Sequence, residues 1–317
     1  MLSVGIIGLP NVGKSTLFRA LTKKQVEISN RPFTTIKPNI AVVALPDPRL
    51  EELKKLSHWN EVVPAVIEFI DIAGLVKNAH QGEGLGNQFL SYIRNVDAIA
   101  HIVRLFEDEN INHIHGKIDP FYDIEVVNAE LTAAGIEKPT LIVFNCSEKQ
   151  LNPHTKRGQI SENDQINEIS PRYGVGVNWL PTNITLPYLV LSAKLELTLS
   201  DMNEQERKEF MEELEIKESG LEKLIKESYK LLDLITFFTV KGENQLRAWE
   251  LPRGTPIIEA AGKIHTDFKE KFIRAEAINW QKLVEAGSWQ KAREKGLIHT
   301  AGRDYIVQDG DVVEIKI

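Results

Sequence analysis

The chain has 317 residues, 42% of them hydrophobic and 26% charged, which is the profile of an ordinary globular protein with room for about two domains. No apolar run approaches the roughly 18 residues that span a bilayer, the N-terminus enters a strand pattern directly, and the single cysteine, Cys146, excludes an internal disulfide, so the expectation is a cytoplasmic protein with no membrane partner. A net charge of −7 argues against coating nucleic acid by bulk attraction and leaves a local basic face open.

Residues 1–199 alternate helix-like stretches with the apolar runs Val4–Ile7, Ile40–Val43, Val66–Ile70, Ala98–Val103, Leu141–Phe144 and Tyr188–Leu191. Such Val- and Ile-rich strands predict an α/β domain with a mostly parallel sheet covered on both faces. Residues 200–232 change character: Asp201–Leu214 and Gly220–Leu232 carry apolar residues at helical intervals, which predicts two amphipathic helices as a connector. From 233 to 317 short strands are expected at Thr236–Val240, Arg247–Glu250, Tyr305–Val307 and Val312–Ile317, with a helix near Thr255–Ala261. This pattern predicts a small α+β domain.

Gly8-Leu9-Pro10-Asn11-Val12-Gly13-Lys14-Ser15 satisfies the phosphate-loop pattern G-x-x-x-x-G-K-[ST]. Its glycines let the amides of Asn11, Val12, Gly13, Lys14, Ser15 and Thr16 turn toward phosphates, Lys14 supplies a cation, and Ser15 offers a hydroxyl to Mg²⁺. The loop follows an apolar strand and opens a helix, the context that separates it from a chance match. Phe69–Gly74 ends a strand with Asp71, which can hold Mg²⁺ through water, while Gly74 can present its amide to a terminal phosphate. Thr34 or Thr35, with Thr35 favoured, completes the metal shell when a third phosphate is present. Gly82–Gly86 reads as a hinge or as a plain flexible loop.

The residue after Gly74 is Leu75, which cannot orient an attacking water, so hydrolysis needs another group. His113 is one candidate, against a solvated loop histidine; Asn11 is a candidate for binding a monovalent cation such as K⁺, against a loop-stabilising asparagine. The strand Leu141–Phe144 leads into Asn145-Cys146-Ser147-Glu148, where guanine readers carry Asn-Lys-x-Asp. The Lys is missing and the carboxylate is displaced by one methylene, which favours ATP over GTP. Ser192 and Ala193, after the last strand of the domain, would back the base.

With these motifs in hand, the sequence resembles the YchF/Obg-like ATPase family over nearly its whole length, including Asn30–Asn39, Pro46–Leu50, Gly82–Asn87 and Ala260–Phe268. The resemblance implies ATPase activity, a hydrophobic residue in place of the usual Gln, a C-terminal TGS domain with a ubiquitin-like fold, and association with the ribosome. It matches His113 to the family's proposed catalytic histidine, and implies that Asn145, the backbone around Cys146, and Glu148 contact adenine. It also implies a helical hairpin inserted after Val126–Ala134, where this sequence passes straight into the next strand; a stretch skipped in the sequence is expected there rather than a true loss. Asn152–Pro187 is polar, Asn-rich and without a functional account.

Lys263, His265, Lys269, Lys271 and Arg274 cluster around Phe268 and Phe272. Spacing alone favours a solvated amphipathic face, and the resemblance favours contact with the ribosome, as the large subunit or its RNA, by a monomer. The reading is therefore an ATP-hydrolysing regulatory switch, slow without a partner because neither a Gln nor a cis arginine is evident. The alternatives are a guanine-specific translational GTPase and a nucleotide-dependent binding module with negligible hydrolysis.

Overall fold

A computed structural model of the chain describes residues 2–26, 39–57, 59–72, 85–151, 186–241 and 245–317. In chain order the elements are β1 (Ser3–Ile7), α1 (Lys14–Lys23), β2 (Ile40–Ala44), α2 (Pro48–Lys54), β3 (Glu61–Val63), β4 (Val66–Asp71), α3 (Leu85–Asn95), β5 (Ala98–Arg104), α4 (Pro120–Ala133), β6 (Thr140–Asn145), α5 (Glu148–Leu151) and β7 (Tyr188–Leu191). They continue as α6 (Ala193–Asp201), α7 (Glu204–Glu213), α8 (Gly220–Leu231), β8 (Leu234–Lys241), β9 (Gln245–Pro252), α9 (Ile257–Ile264), α10 (Thr266–Glu270), β10 (Arg274–Asn279), α11 (Trp280–Ala286), α12 (Trp289–Glu294), β11 (His299–Ala301) and β12 (Asp311–Lys316).

The chain divides into two compact units, residues 1–43 with 67–231 and residues 44–66 with 232–317. The first holds a six-stranded sheet in the order β2-β4-β1-β5-β6-β7, with parallel pairing at β4-β1, β1-β5, β5-β6 and β6-β7. All six apolar runs of the sequence are its strands. Every residue of β1 and β5 is buried, which is why these strands read as continuous apolar runs rather than as alternation. The phosphate loop leaves the end of β1, a central strand, and therefore starts from the most rigid part of the sheet.

Helices α6, α7 and α8 belong to this first unit, so the expected connector at 200–232 is part of it rather than a separate piece. The reason is a buried carboxylate. Glu196 on α6 is 3% exposed and accepts the amides of Gly220 at 2.7 Å and Leu221 at 3.1 Å, which ties α6 to the start of α8. No hairpin interrupts residues 85–151: α4 ends at Ala133, Gly135 turns the chain with φ 62°, and β6 begins at Thr140.

The second unit holds a mixed sheet in the order β11-β10-β12-β8-β9-β3. Its core gathers Phe237, Trp249, Ile257, Phe272, Ala275, Ala277 and Val313. This unit resumes at residue 232 and also takes in residues 44–66, because β3, far upstream, runs parallel to β9 with Glu61 opposite Gln245 and Val63 opposite Arg247. Tyr305–Val307 is not a strand. Ile306 makes one isolated bridge with Pro256, and the segment is pinned instead by Val307 N to Thr255 O at 3.1 Å and by the Tyr305 hydroxyl to Asp311 Oδ2 at 2.7 Å.

Replacing Glu196 with Ala leaves two amides at the start of α8 without their acceptor, each costing about 1–3 kcal/mol when water cannot replace the partner. Urea unfolding is expected to show a clear fall in midpoint for Glu196→Ala and a smaller fall for Glu196→Gln, which keeps one acceptor oxygen.

Candidate nucleotide-binding site

The loop after β1 is shaped by residues that tolerate unusual backbone. Gly8 sits at φ 148°, Asn11 at 64° and Gly13 at 98°, all in the region that disfavours side chains with a Cβ. Space adds a second constraint: a Cβ on Gly8 would lie 2.4 Å from the Ile102 carbonyl, and one on Gly13 would lie 2.2 Å from Asn145 Nδ2. Gly13 then caps α1, whose first residues Lys14, Ser15 and Thr16 line a cleft of about 690 Å³ together with Asn11 and Gly13. The opening turn of α1 thus aims free amides and the positive end of its dipole into the cleft.

Lys14 is 8% exposed and its ammonium donates to the carbonyls of Gly8 at 3.0 Å and Leu9 at 2.7 Å. Burial lowers its pKa to about 8, against the pull of Asp71. Burial likewise raises Asp71 above the usual carboxylate range, with Lys14 opposing. For both groups, loss of water outweighs their mutual attraction, so the pair lacks charge compensation that a phosphate or a cation would supply. Ser15 is exposed to the cleft. Its hydroxyl and the Asp71 carboxylate are the described groups that fit a Mg²⁺ held largely through water; among the described residues no group of three His, Cys, Asp or Glu side chains forms a direct metal cage. Thr35, Gly74, Leu75 and the Gly82–Gly84 part of the expected hinge lie outside the described residues, as do residues 152–185.

Behind this pair, on β5, His101 is 1% exposed, and neither ring nitrogen has a hydrogen-bond partner among the described residues. Burial, with Lys14 adding to it, lowers its pKa to about 3, so the ring is neutral.

At the other end of the cleft, Asn145 lines the wall while its carboxamide is committed twice. Nδ2 donates to Val12 O at 2.9 Å and Oδ1 accepts from Ala193 N at 2.9 Å. Asn145 is therefore a brace between the phosphate loop and the segment Ser192–Ala193, and it keeps its place in the lining of the cleft. Val12 is buried and meets Asn145 through its carbonyl. Cys146 is also buried, with its thiol pushed up to about 12 by burial, so it offers a small neutral wall and no nucleophile. Ser147 is held by Gln150, whose Oε1 accepts from Ser147 N at 2.7 Å and Oγ at 2.9 Å. Glu148 is exposed at the start of α5, and Ser192 caps α6 by accepting Leu195 N at 3.3 Å.

His113 is not brought to the phosphates. Its side chain is 4% exposed and does not line the cleft. Nδ1 accepts from His115 N at 3.2 Å, so Nε2 carries the proton that meets Asp123 Oδ2 at 2.9 Å. The expected role in orienting water is not met in this conformation, because both nitrogens are taken. Asn11 likewise donates its Nδ2 to Asn112 O at 3.2 Å. Phe106, Asp108 and Ile111 line the cleft without having been singled out in the sequence. Their signal was Arg104, a charged residue at the end of a strand rich in Ala, Ile and Val.

Two family models match the chain. One, MMR_HSR1, described as a 50S ribosome-binding GTPase, covers residues 3–146; the other, YchF-GTPase_C, described as a protein of unknown function (DUF933), covers residues 234–317. A relative from Bacillus subtilis (strain 168), named Ribosome-binding ATPase YchF, is 39% identical over 99% of this chain and 99% of its own length. The chain belongs to the YchF family. A second YchF, from Escherichia coli O157:H7, is 38% identical over 98% of this chain and 97% of its own length. Among solved structures, the Schizosaccharomyces pombe YchF GTPase aligns with a TM-score of 0.78 and 30% identity over 99% of this chain and 97% of that one. The Bacillus YchF alignment runs over 376 positions, more than the 317 residues here, so that YchF carries residues within the aligned span that this chain lacks.

Because Lys14 titrates near pH 8 in the free protein, binding of a triphosphate is expected to take up a proton above that pH. Below about pH 8 the ammonium is already charged and affinity is flat; above it, affinity falls as the free lysine becomes neutral, by up to about tenfold per unit. Calorimetry at pH 7 and pH 9 in buffers of different ionisation enthalpy measures both effects.

Proposed function

We propose that this YchF-family chain is an ATP-hydrolysing regulatory P-loop NTPase that prefers ATP to GTP and works in association with the ribosome. The observation that carries the base preference is the cleft's base end. Where guanine readers place a lysine stem and an aspartate, this chain has the buried thiol of Cys146 and an exposed Glu148 on α5. A guanine N1–H and amino group entering there find no fixed carboxylate, and unpaired polar groups in a closed site are costly. The names of the relatives support the remainder: those from Bacillus and Escherichia are called ribosome-binding ATPases.

The residues divide the work as follows. Amides from Asn11 to Thr16 grip the phosphates, and Lys14 leaves the Gly8 and Leu9 carbonyls to meet their charge. Ser15, Asp71 and Thr35 hold Mg²⁺, which when bound neutralises charge on the phosphate oxygens, and Gly74 presents its amide to the terminal phosphate. The oxygen of the Asn11 side chain would be the group to hold a monovalent cation such as K⁺, which would add positive charge beside the phosphates. His113 enters hydrolysis only after the 105–115 loop frees Nε2 from Asp123, which accounts for slow turnover without a partner. Ser192 and Ala193 back the base. The C-terminal unit is a TGS domain of ubiquitin-like fold, the partner surface is the large ribosomal subunit or its RNA, and the protein acts as a cytoplasmic monomer.

A second reading has a specific ground: the N-terminal family model and the Schizosaccharomyces relative are both named as GTPases. Competition of ATP and GTP for labelled nucleotide in Mg²⁺ separates the two, with ATP expected to bind at least about tenfold tighter; tighter GTP binding contradicts the proposal. Pelleting with ribosomal subunits is expected to carry the chain down with the large subunit in a nucleotide-dependent way. His113→Ala is expected to cut turnover by about a hundredfold or more with ATP affinity unchanged, the size of a lost general base, and unchanged turnover removes the histidine from the mechanism.

A further inference from the structure

The last residue of β5, Arg104, is a buried cation, 2% exposed. Among the described residues no carboxylate is bonded to it, and those of Asp108 and Asp123 act on it only through space. Its guanidinium instead donates to three main-chain carbonyls of the loop that follows: Nε to Phe106 O at 3.0 Å, Nη1 to Ile111 O at 3.0 Å and Nη2 to Asp108 O at 3.4 Å. Its planar face also lies over the Phe106 ring, 4.4 Å from the centroid.

A desolvated arginine is expensive, and its cost is offset only where several fixed acceptors meet its fork of donors. Here those acceptors all belong to one wall. Phe106, Asp108 and Ile111 line the cleft together with Asn145–Lys149. The same loop is braced from β6, where Asn145 O accepts from Leu105 N at 2.8 Å and Phe106 N at 3.2 Å. Its far end receives Asn11 Nδ2 through Asn112 O. Arg104 thus fills the centre of a loop fixed at both ends and decides the shape of its middle.

We infer that Arg104 is a positioning residue for nucleotide recognition: it holds the 105–112 loop so that Phe106 forms the base-side wall of the cleft. The inference rests on the nucleotide-cleft reading above and adds to it the residue that shapes the base side. Arginine is favoured because a lysine ammonium is a single point of charge, cannot present a fork spread over three carbonyls, and gives no flat face to the Phe106 ring.

The test uses the full chain and its Arg104→Lys variant, with three measurements: affinity for labelled ATP, displacement by inorganic tripolyphosphate, and thermal unfolding. Tripolyphosphate engages the phosphate loop and has no base, so it reports the phosphate end alone. Arg104→Lys is expected to lose about tenfold or more in ATP affinity, the scale of a lost set of charged hydrogen bonds, while tripolyphosphate affinity stays within about twofold. ATP affinity equal to that of the unaltered chain overturns the inference, as does an equal loss for ATP and tripolyphosphate. If Arg104→Lys unfolds, Phe106→Ala carries the same comparison, since Phe106 is outside the strand core, and equal losses there overturn the inference too. If the unaltered chain prefers GTP, the ATP reading falls, and the Arg104 comparison is made with GTP against tripolyphosphate.

Discussion

One carboxamide holds the nucleotide site in register. Asn145 reaches from the end of β6 to Val12 O on one side and to Ala193 N on the other, joining segments far apart in sequence on the scale of a single side chain. That contact is possible only because position 13 has no Cβ: an added methyl would sit 2.2 Å from Asn145 Nδ2. The glycine of the phosphate-loop pattern therefore answers to two demands. It must adopt a left-handed backbone to cap α1, and it must leave room for the brace that fixes where the loop stands relative to the base pocket.

The site is also a place where charge is kept out of water at a cost. Lys14 and Asp71 are each pushed toward their neutral forms by burial, although each favours the charged form of the other. His101 is buried and neutral behind them. Lys14 meanwhile satisfies the carbonyls of Gly8 and Leu9, so the loop remains bonded while it waits for phosphate. A triphosphate replaces weak neutral acceptors with charged ones, and hydrogen bonds to charged groups contribute about 1.5–3 kcal/mol each rather than about 1. Binding energy is thereby drawn from groups that the empty fold leaves partly uncompensated. Arg104 shows the opposite solution, a buried cation that meets three main-chain carbonyls inside the protein.

How much of this was legible in the sequence follows the range of each interaction. The phosphate loop was readable because its grip is made by consecutive residues. The central strands β1 and β6 were readable because nearly every residue in them is buried, and β2, with alternate residues buried, still reads as an apolar run. What failed was non-local. Nothing in Glu61–Val63 announces that it will pair with Gln245–Arg247, and the small residues Ala275 and Ala277 of β10 give a weak strand signal although both are fully buried. Tyr305–Val307 looked like a strand for its β-forming residues, yet it docks through single bonds to Thr255 and Asp311. His113 was proposed as a loop residue and through the family resemblance, while the partner that withholds it, Asp123, lies on a helix that pattern alone could not bring to it.

The account stands on the main-chain cradle at residues 11–16 taking a triphosphate, with Lys14 changing partners to meet it. A crystal structure with magnesium and a non-hydrolysable ATP analogue tests this most directly. It should show Lys14 Nζ released from the Gly8 and Leu9 carbonyls onto phosphate oxygens, and the adenine between Phe106 and the Cys146–Glu148 segment with Asn145 still bridging Val12 and Ala193. Nucleotide bound elsewhere, with Lys14 still on the two carbonyls, would contradict it.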